Sequence, residues 1–283
     1  MGTSTSNRGQ NGKTPLVPSW LIDDENNGTK PDTEITGDNI QQQDDTQSYD
    51  SKRFTSPRSD FTRYINSGGN KTGRLHKAIS SYVRKSAGGS KNATMRLGSA
   101  RKSTAKLVSI MSGFAGGNIS ATAYRFNLGD IIGKPAKEVF LRIIDFVCPD
   151  GGRTDEGIAR SAYIEALSSI PDLENKQIES LSPLEFLAFT EIYMADVIQQ
   201  KLLNDIGNKI FSLPNDILCI ENIEKQMKDF IQNAISDSIS KLNVDICNIS
   251  QQQAQDVVDS VYNTALLFHN VSGCLIMFLV NSL

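Results

Sequence analysis

One long apolar segment limits the fold of this chain more than any other feature. It begins with Ser182, Pro183 and Glu185, which form a capping box with proline at the first helical position. The apolar residues that follow continue to Ile210 and leave almost no wholly polar helical face until about Gln199. A helix that is apolar nearly all round is packed on several sides. We therefore expect it to be the central helix of the domain, ending near Leu213.

Two further segments predict long helices beside it. One helix is predicted to open at Asn215 or Asp216 and to keep Leu242 on its buried face. Ser250 with Gln253 forms a second capping box, which opens the last helix. Long helices joined by short loops favour an antiparallel bundle, and no strand-period alternation competes with this pattern. The predicted fold class is all-α, a disordered N-terminal tail and tether followed by a mainly antiparallel helical bundle.

Charge divides the chain into regions of opposite sign. Residues 1–50 carry 3 basic and 9 acidic residues, residues 51–134 carry 16 and 2, and residues 135–283 carry 10 and 21. Such asymmetry indicates an electrostatic partner or internal pairing. The predicted organisation is an N-terminal docking or modification peptide (1–22), an acidic flexible tether (23–53), a basic helical region punctuated by glycines (54–134) and an acidic helical bundle domain (135–283).

The basic region predicts three helices, the first capped by Ser59. Its best candidates for binding nucleic-acid phosphates are Arg84, Lys85, Arg101, Lys102 and Lys106. The aromatic residues Tyr64 and Tyr82 fall at core-like positions, and no known nucleic-acid-binding motif occurs. Pairing with the acidic helices of the chain, or with an acidic partner protein, is therefore favoured over nucleic acid, which stays the alternative.

The sequence offers little for catalysis or metal binding. It contains two histidines, His76 and His269, and four cysteines without metal-ligand spacing, and it lacks the common catalytic motifs. We predict that the chain is not an enzyme and holds no cofactor or metal. The cysteine pattern and the lack of a secretory signal indicate a reducing cytoplasm. The apolar run from Val271 to Val280 is too short to span a bilayer, so no membrane association is expected.

The N-terminus combines a small first residue with a stiff apolar peptide. Gly2 permits removal of Met1, which leaves an unhindered α-amine. The prolines fix an extended conformation around the single tryptophan, as in docking peptides. The predicted partner-binding residues are Thr3, Ser4, Pro15, Leu16, Val17, Pro18 and Trp20. Gly2 with Ser6 also fits an N-myristoylation pattern, and composition alone favours a plain disordered tail.

The segments Met1–Ser4 and Pro15–Trp20, together with the glycine-punctuated basic region, resemble QatB, a family of components of the bacterial Qat anti-phage defence system. The resemblance implies a non-catalytic protein that works beside three others. These partners are a QatC-like protein similar to the enzymes that make 7-cyano-7-deazaguanine, a QatA-like ATPase and a QatD-like protein that resembles TatD-type nucleases.

The resemblance also implies a role for the N-terminus. Deazaguanine enzymes activate a carboxylate with ATP and then let an amine attack it, and a protein α-amine could replace ammonia in that step. We therefore predict that Gly2 is conjugated to a deazaguanine-type base by the QatC-like partner. The alternative function is a basic nucleic-acid-binding adaptor that recruits a nuclease to phage DNA.

Overall fold

The computed structural model describes residues 52–149, 152–170, 173–207, 217–245, 247 and 249–267. Within these ranges the chain is helical and forms no β-strand, which confirms the predicted fold class. The helices are α1 (Thr55–Ile65), α2 (Thr72–Ser81), a π-helix (Tyr82–Ala87), α3 (Ser90–Met95), α4 (Ser99–Ala115), α5 (Ile119–Arg125), α6 (Ala136–Val147), α7 (Thr154–Ser168), a 3-10 turn (Ile178–Ser180), α8 (Pro183–Ile206), α9 (Ile217–Lys241) and α10 (Gln251–Leu266).

Helix α8 is the central helix, as predicted. The Ser182 hydroxyl accepts a hydrogen bond from the Glu185 backbone N–H at 3.3 Å, and the Glu185 carboxylate accepts one from the Ser182 N–H at 2.8 Å. The helix packs against α4, α7 and α9, which accounts for its apolar residues on several sides. It ends at Ile206, earlier than predicted, and Leu213 lies outside the described residues.

Helices α4 and α10 run antiparallel. Near the end of α4, the Ser112 hydroxyl donates to the Ile249 carbonyl at 3.0 Å, just before α10 begins. Near the other ends, the Thr104 and Tyr262 hydroxyls are hydrogen-bonded at 2.8 Å. The predicted capping box of α10 is also present, since the Ser250 hydroxyl accepts from the Gln253 N–H at 3.3 Å. These contacts show that α4 and α10 are antiparallel, as the prediction of a mainly antiparallel bundle requires.

Helix α9 lies along α8 through one apolar stripe. Its buried residues include Ile223, Met227, Ile231 and Ile235, which recur at helical spacing. The prediction that Leu242 faces inward is wrong, because α9 ends at Lys241 and the Leu242 side chain is 40% exposed.

The first helix begins earlier than predicted. The prediction that Ser59 caps the first helix is wrong: α1 starts at Thr55, with Phe54 at the cap position and Ser59 exposed inside the helix. The Phe54 ring stacks on the Tyr82 ring at a centroid distance of 6.2 Å, which fixes where the chain enters α1. After α1 the chain turns through Gly69, whose φ of +77° and close approach to Ile223 require glycine.

The helices of the basic and acidic regions share one hydrophobic core. Residues from α1 to α10 contribute to it, with large buried aromatic side chains such as Phe61, Phe114, Phe186 and Tyr262. The predicted domain boundaries stay a prediction.

Candidate functional site

The residues predicted to act at the N-terminus precede Lys52, the first described residue. The modification residue Gly2 and the partner-binding residues therefore lie outside the described ranges, and so do His269, Cys274 and the apolar run from Val271 to Val280. The structure places the remaining candidates on the helical body.

Two of the five basic candidates lie on the π-helix. Arg84 and Lys85 are both exposed, and the Lys85 ammonium donates to the Ser56 hydroxyl at 2.9 Å. The π-helix ends at Ala87, and Gly88 follows it in the left-handed conformation, with φ of +80°.

The other three basic candidates lie on α4 and have different environments. The Arg101 side chain is only 15% exposed, and its guanidinium binds the Asp259 carboxylate of α10 at 3.1 Å. This ion pair joins a basic helix to an acidic one. Lys102 and Lys106 are exposed, and the Lys106 ammonium lies 5.5 Å from the Phe146 ring centroid. Arg101 therefore acts within the fold, whereas the two lysines face solvent.

A groove lies where the chain passes from α9 to α10; we call it the α9–α10 groove. Its volume is about 420 Å³, and it is lined by Leu242, Asn243, Val244, Asp245, Ile249, Gln253, Asp256, Val257 and Ser260. Its described lining holds two carboxylates and no basic side chain. The groove therefore combines apolar surface with negative charge.

The chain path after α9 shapes this groove. Asn243 takes a left-handed conformation with φ of +49°, which asparagine tolerates better than most residues. The Val244 N–H then returns to the Ile239 carbonyl at 3.2 Å. The Asp245 carboxylate accepts from the Cys247 N–H at 3.0 Å. These bonds leave Leu242 at the rim of the groove.

One buried set of polar groups, the neutral cluster, joins α4, α8 and α10 to the end of α6. It consists of Thr104, Cys148, Tyr193 and Tyr262. The Cys148 sulfur lies 3.6 Å from the Tyr193 hydroxyl, and the Thr104 hydroxyl bonds to Tyr262. Burial raises the pKa of the Cys148 thiol, so the thiolate that a nucleophile needs is disfavoured.

A second set, the charged cluster, joins α7, α8 and α9. The Asp196 carboxylate is 2% exposed and lies 3.2 Å from the Lys228 ammonium, which also lies 3.7 Å from the Glu165 carboxylate. Burial raises the pKa of Asp196 to about 6, although Lys228 opposes the shift. Lys228 of α9 thus forms ion pairs with carboxylates of two other helices, α7 and α8.

The described residues contain no group of three or more His, Cys, Asp or Glu side chains arranged to hold a metal ion. His76 packs edge-on against Phe230, with ring centroids 6.3 Å apart. None of the described helices has the length and hydropathy needed to cross a membrane.

The sequence patterns did not indicate the charged cluster or the α9–α10 groove. Asp196 stands between the buried residues Ala195 and Val197, and a carboxylate inside such an apolar run is a signal of a buried partner. No comparable sequence signal indicates the groove. The spacing of Leu242 in the sequence indicates a buried position, whereas Leu242 lines the groove.

The helical body also decides the family. The chain matches the family described as QatB, Qat anti-phage system associated protein, over residues 88–268. It belongs to the QatB family. No curated protein and no solved structure matches it. The match begins at Gly88, directly after the π-helix, and spans α3 to α10. This QatB protein is therefore a component of a Qat anti-phage system.

Proposed function

We propose that this QatB protein is a non-catalytic component whose helical body binds partner enzymes of the Qat system. The observation that carries the proposal is the family match, which covers the helical bundle rather than the N-terminal peptide. The chemistry of the body supports it as well. Cys148 is buried with a raised pKa, and His76 packs on Phe230, so both side chains have structural roles.

The α9–α10 groove is the proposed docking site for a partner segment. Its carboxylates, Asp245 and Asp256, attract lysine or arginine, and its apolar lining accepts an aliphatic or aromatic side chain. The occupant we propose is a segment of a Qat partner in which an apolar side chain stands next to a basic one. Such anchors supply most of the binding energy in protein interfaces.

Co-purification of the full-length chain with the QatC-like and QatA-like proteins tests this proposal. Leu242→Asp places a charge on the apolar rim, and Asp256→Lys reverses the charge of the lining; each is expected to weaken co-purification. Leu184→Asp is the matched control, because Leu184 is 75% exposed and lies outside the groove lining. Failure of the unaltered chain to co-purify with either partner would contradict the proposal. If Leu184→Asp weakens co-purification as much as the groove variants do, the groove is not the docking site.

A second part of the proposal concerns Gly2. After removal of Met1, its amine attacks the ATP-activated carboxylate of a deazaguanine-type base in the QatC-like partner, so that an amide bond forms as the activating group leaves and the amine loses a proton. The support is the resemblance of Met1–Ser4 and Pro15–Trp20 to QatB and the nucleophilicity of an unhindered α-amine near neutral pH. In this proposal the QatC-like partner binds the apolar peptide around Trp20 while the helical body stays bound to the complex.

Intact mass measurement tests the Gly2 proposal directly. The chain purified with an active QatC-like partner is expected to carry an added mass at its N-terminus that the chain expressed alone lacks. Gly2→Pro should abolish both the added mass and phage defence, and Trp20→Ala should weaken capture by on the order of 2 kcal/mol. An unmodified N-terminal peptide, or incorporation of labelled myristate at Gly2, would overturn this part.

A further inference from the structure

An exposed surface at the α4–α5–α6 junction combines aromatic rings with basic groups in a continuous series. The Lys106 ammonium lies 5.5 Å from the Phe146 ring, and Phe146 meets Phe126 edge-on at a centroid distance of 5.3 Å. The Arg125 guanidinium covers the Phe126 ring at 4.5 Å. Three helices therefore contribute to one surface, which we call the aromatic–basic surface.

Tyr124 extends this surface into open solvent. Its side chain is 91% exposed, the largest exposure among the large hydrophobic side chains of the described residues. Beside Arg125 it lines a wide groove of about 580 Å³, which continues through the loop to Ile132. Phe146 is also 38% exposed. An aromatic ring that the described residues leave this exposed is available for a ligand.

The charges around the surface leave a positive balance. Two neighbouring arginines form ion pairs, Arg142 with Glu138 and Arg160 with Asp145, so their charges are balanced. Lys102, which is exposed one turn before Lys106 on α4, adds to the two cations that lie over aromatic rings.

The remaining carboxylate in the groove is Asp130. It accepts a hydrogen bond from the Ile132 N–H at 3.3 Å, so it is part of the loop structure. The surface thus presents three cations, Lys102, Lys106 and Arg125, and the described lining of the adjoining groove contains one carboxylate, although the whole chain is acidic.

We infer that the aromatic–basic surface binds single-stranded nucleic acid. Proteins that bind single strands stack unpaired bases on aromatic rings and follow the phosphates with lysine and arginine. Tyr124 and the exposed part of Phe146 supply rings, and Lys102, Lys106 and Arg125 supply charges. The inference does not rest on the proposed function, since it needs neither a protein partner nor Gly2.

This site differs from a general basic patch in two respects. Arg101 takes no part, because it is bound to Asp259. The exposed ring of Tyr124 can stack only on a base that is not already paired and stacked in a duplex. The surface should therefore prefer single strands over duplex of the same length.

Fluorescence anisotropy with the full-length chain tests the inference. The probes are labelled oligothymidylate and oligouridylate of about 20 nucleotides, longer than the roughly 4–16 nucleotides that one binding fold covers, and a duplex of equal length. The unaltered chain should bind the single strands more tightly than the duplex. Comparison of the two single strands shows whether DNA or RNA is preferred.

Variants locate the binding. Tyr124→Ala should weaken oligothymidylate binding by about 5- to 150-fold, and Tyr124→Phe should restore it. Lys106→Glu with Arg125→Glu should reduce the slope of log affinity against log salt by roughly 1.4, at about 0.7 per lost phosphate contact. Because Tyr124 is almost fully exposed, its replacement should leave the Tm unchanged.

The matched control is Arg84→Glu with Lys85→Glu, which makes the same charge change on the π-helix. Unchanged binding in this control supports the assigned surface. The inference is overturned if the control loses as much affinity as the Lys106 and Arg125 variant, if Tyr124→Ala binds like the unaltered chain, if duplex binds as tightly as single strands, or if no probe shows salt-dependent binding.

Discussion

The neutral cluster and the charged cluster are both held by α8, yet they satisfy their buried groups in different ways. In the neutral cluster, hydroxyl groups and a thiol exchange hydrogen bonds, and no charge loses its hydration. In the charged cluster, Asp196 is as deeply buried but needs Lys228 beside it. One helix therefore contributes to a part of the core whose stability is independent of pH and to another part whose stability depends on pH.

The largest effect is expected beside the neutral cluster. The Phe189 ring lies 4.5 Å from Phe140 and 5.3 Å from Tyr163, measured between ring centroids, and it is fully buried. Phe189→Ala should lower the free energy of unfolding by about 3–5 kcal/mol, since it leaves a cavity. Urea unfolding at about pH 5 and about pH 8 should give the same loss, because no ionisable group is removed. A loss that differs between the two pH values would show that the packing around Phe189 affects the ionisation of the charged cluster.

A slightly smaller effect is expected from the charged cluster, with the opposite pH behaviour. Lys228→Met leaves Asp196 without its cation and should lower the free energy of unfolding by about 3 kcal/mol at about pH 8. At about pH 5 the loss should be smaller, because Asp196 can then be protonated. Lys225→Met on the exposed side of α9 is the matched control. Equal losses at both pH values would contradict the assignment.

The pH dependence of the unaltered chain isolates the contribution of Asp196. Because the pKa of Asp196 is about 6 in the folded chain and near 3.8 otherwise, the folded state binds a proton that the unfolded state does not. Protonation therefore favours folding, and the contribution of Asp196 to stability grows as pH falls from above about 6 toward about 4. Relative to Asp196→Asn, the unaltered chain should gain about 1–3 kcal/mol over this window. Asp237→Asn, at an exposed position of α9, should leave the profile unchanged.

The smallest effect is expected from a single hydroxyl of the neutral cluster. Tyr262→Phe removes its bond to Thr104, whose own hydroxyl still donates to the Ala100 carbonyl at 2.9 Å. The expected loss is about 1 kcal/mol and independent of pH between about 5 and 8. Chemical unfolding of both proteins at the two pH values measures it. A loss larger than that of Lys228→Met would contradict the assignment of one ordinary hydrogen bond to the Tyr262 hydroxyl.

The sequence predicted those parts of the fold that depend on neighbouring residues. The capping boxes at Ser182 and Ser250 each need only a side chain three positions away, and both are present. The buried stripe of α9 follows from helical spacing in the same way. Short elements were not predicted: α3 and α5 span too few residues to show a period, and a π-helix has no distinct sequence pattern.

The candidate sites depended on contacts between distant residues, so the sequence predicted less of them. Lys102 and Lys106 were identified by charge, but Arg101 could not be separated from them without its contact to Asp259. The series that joins Lys106 to Phe126 through Phe146 needs three helices to meet. Spacing along the chain carries no information about such meetings.

The end of α8 holds α1 and the π-helix, which are synthesised long before it. The Asp205 carbonyl accepts from the Arg58 guanidinium at 3.0 and 3.1 Å, and its carboxylate accepts from the Tyr82 hydroxyl at 2.7 Å. Arg58 and Asp205 are 147 positions apart, and ribosomes add about 5–20 residues per second, so Asp205 is synthesised roughly 7–30 seconds after Arg58. During that interval α1 and the π-helix lack this anchor. The hydrogen bonds that join α1 and the π-helix to the end of α8 can therefore form only after Asp205 has been synthesised.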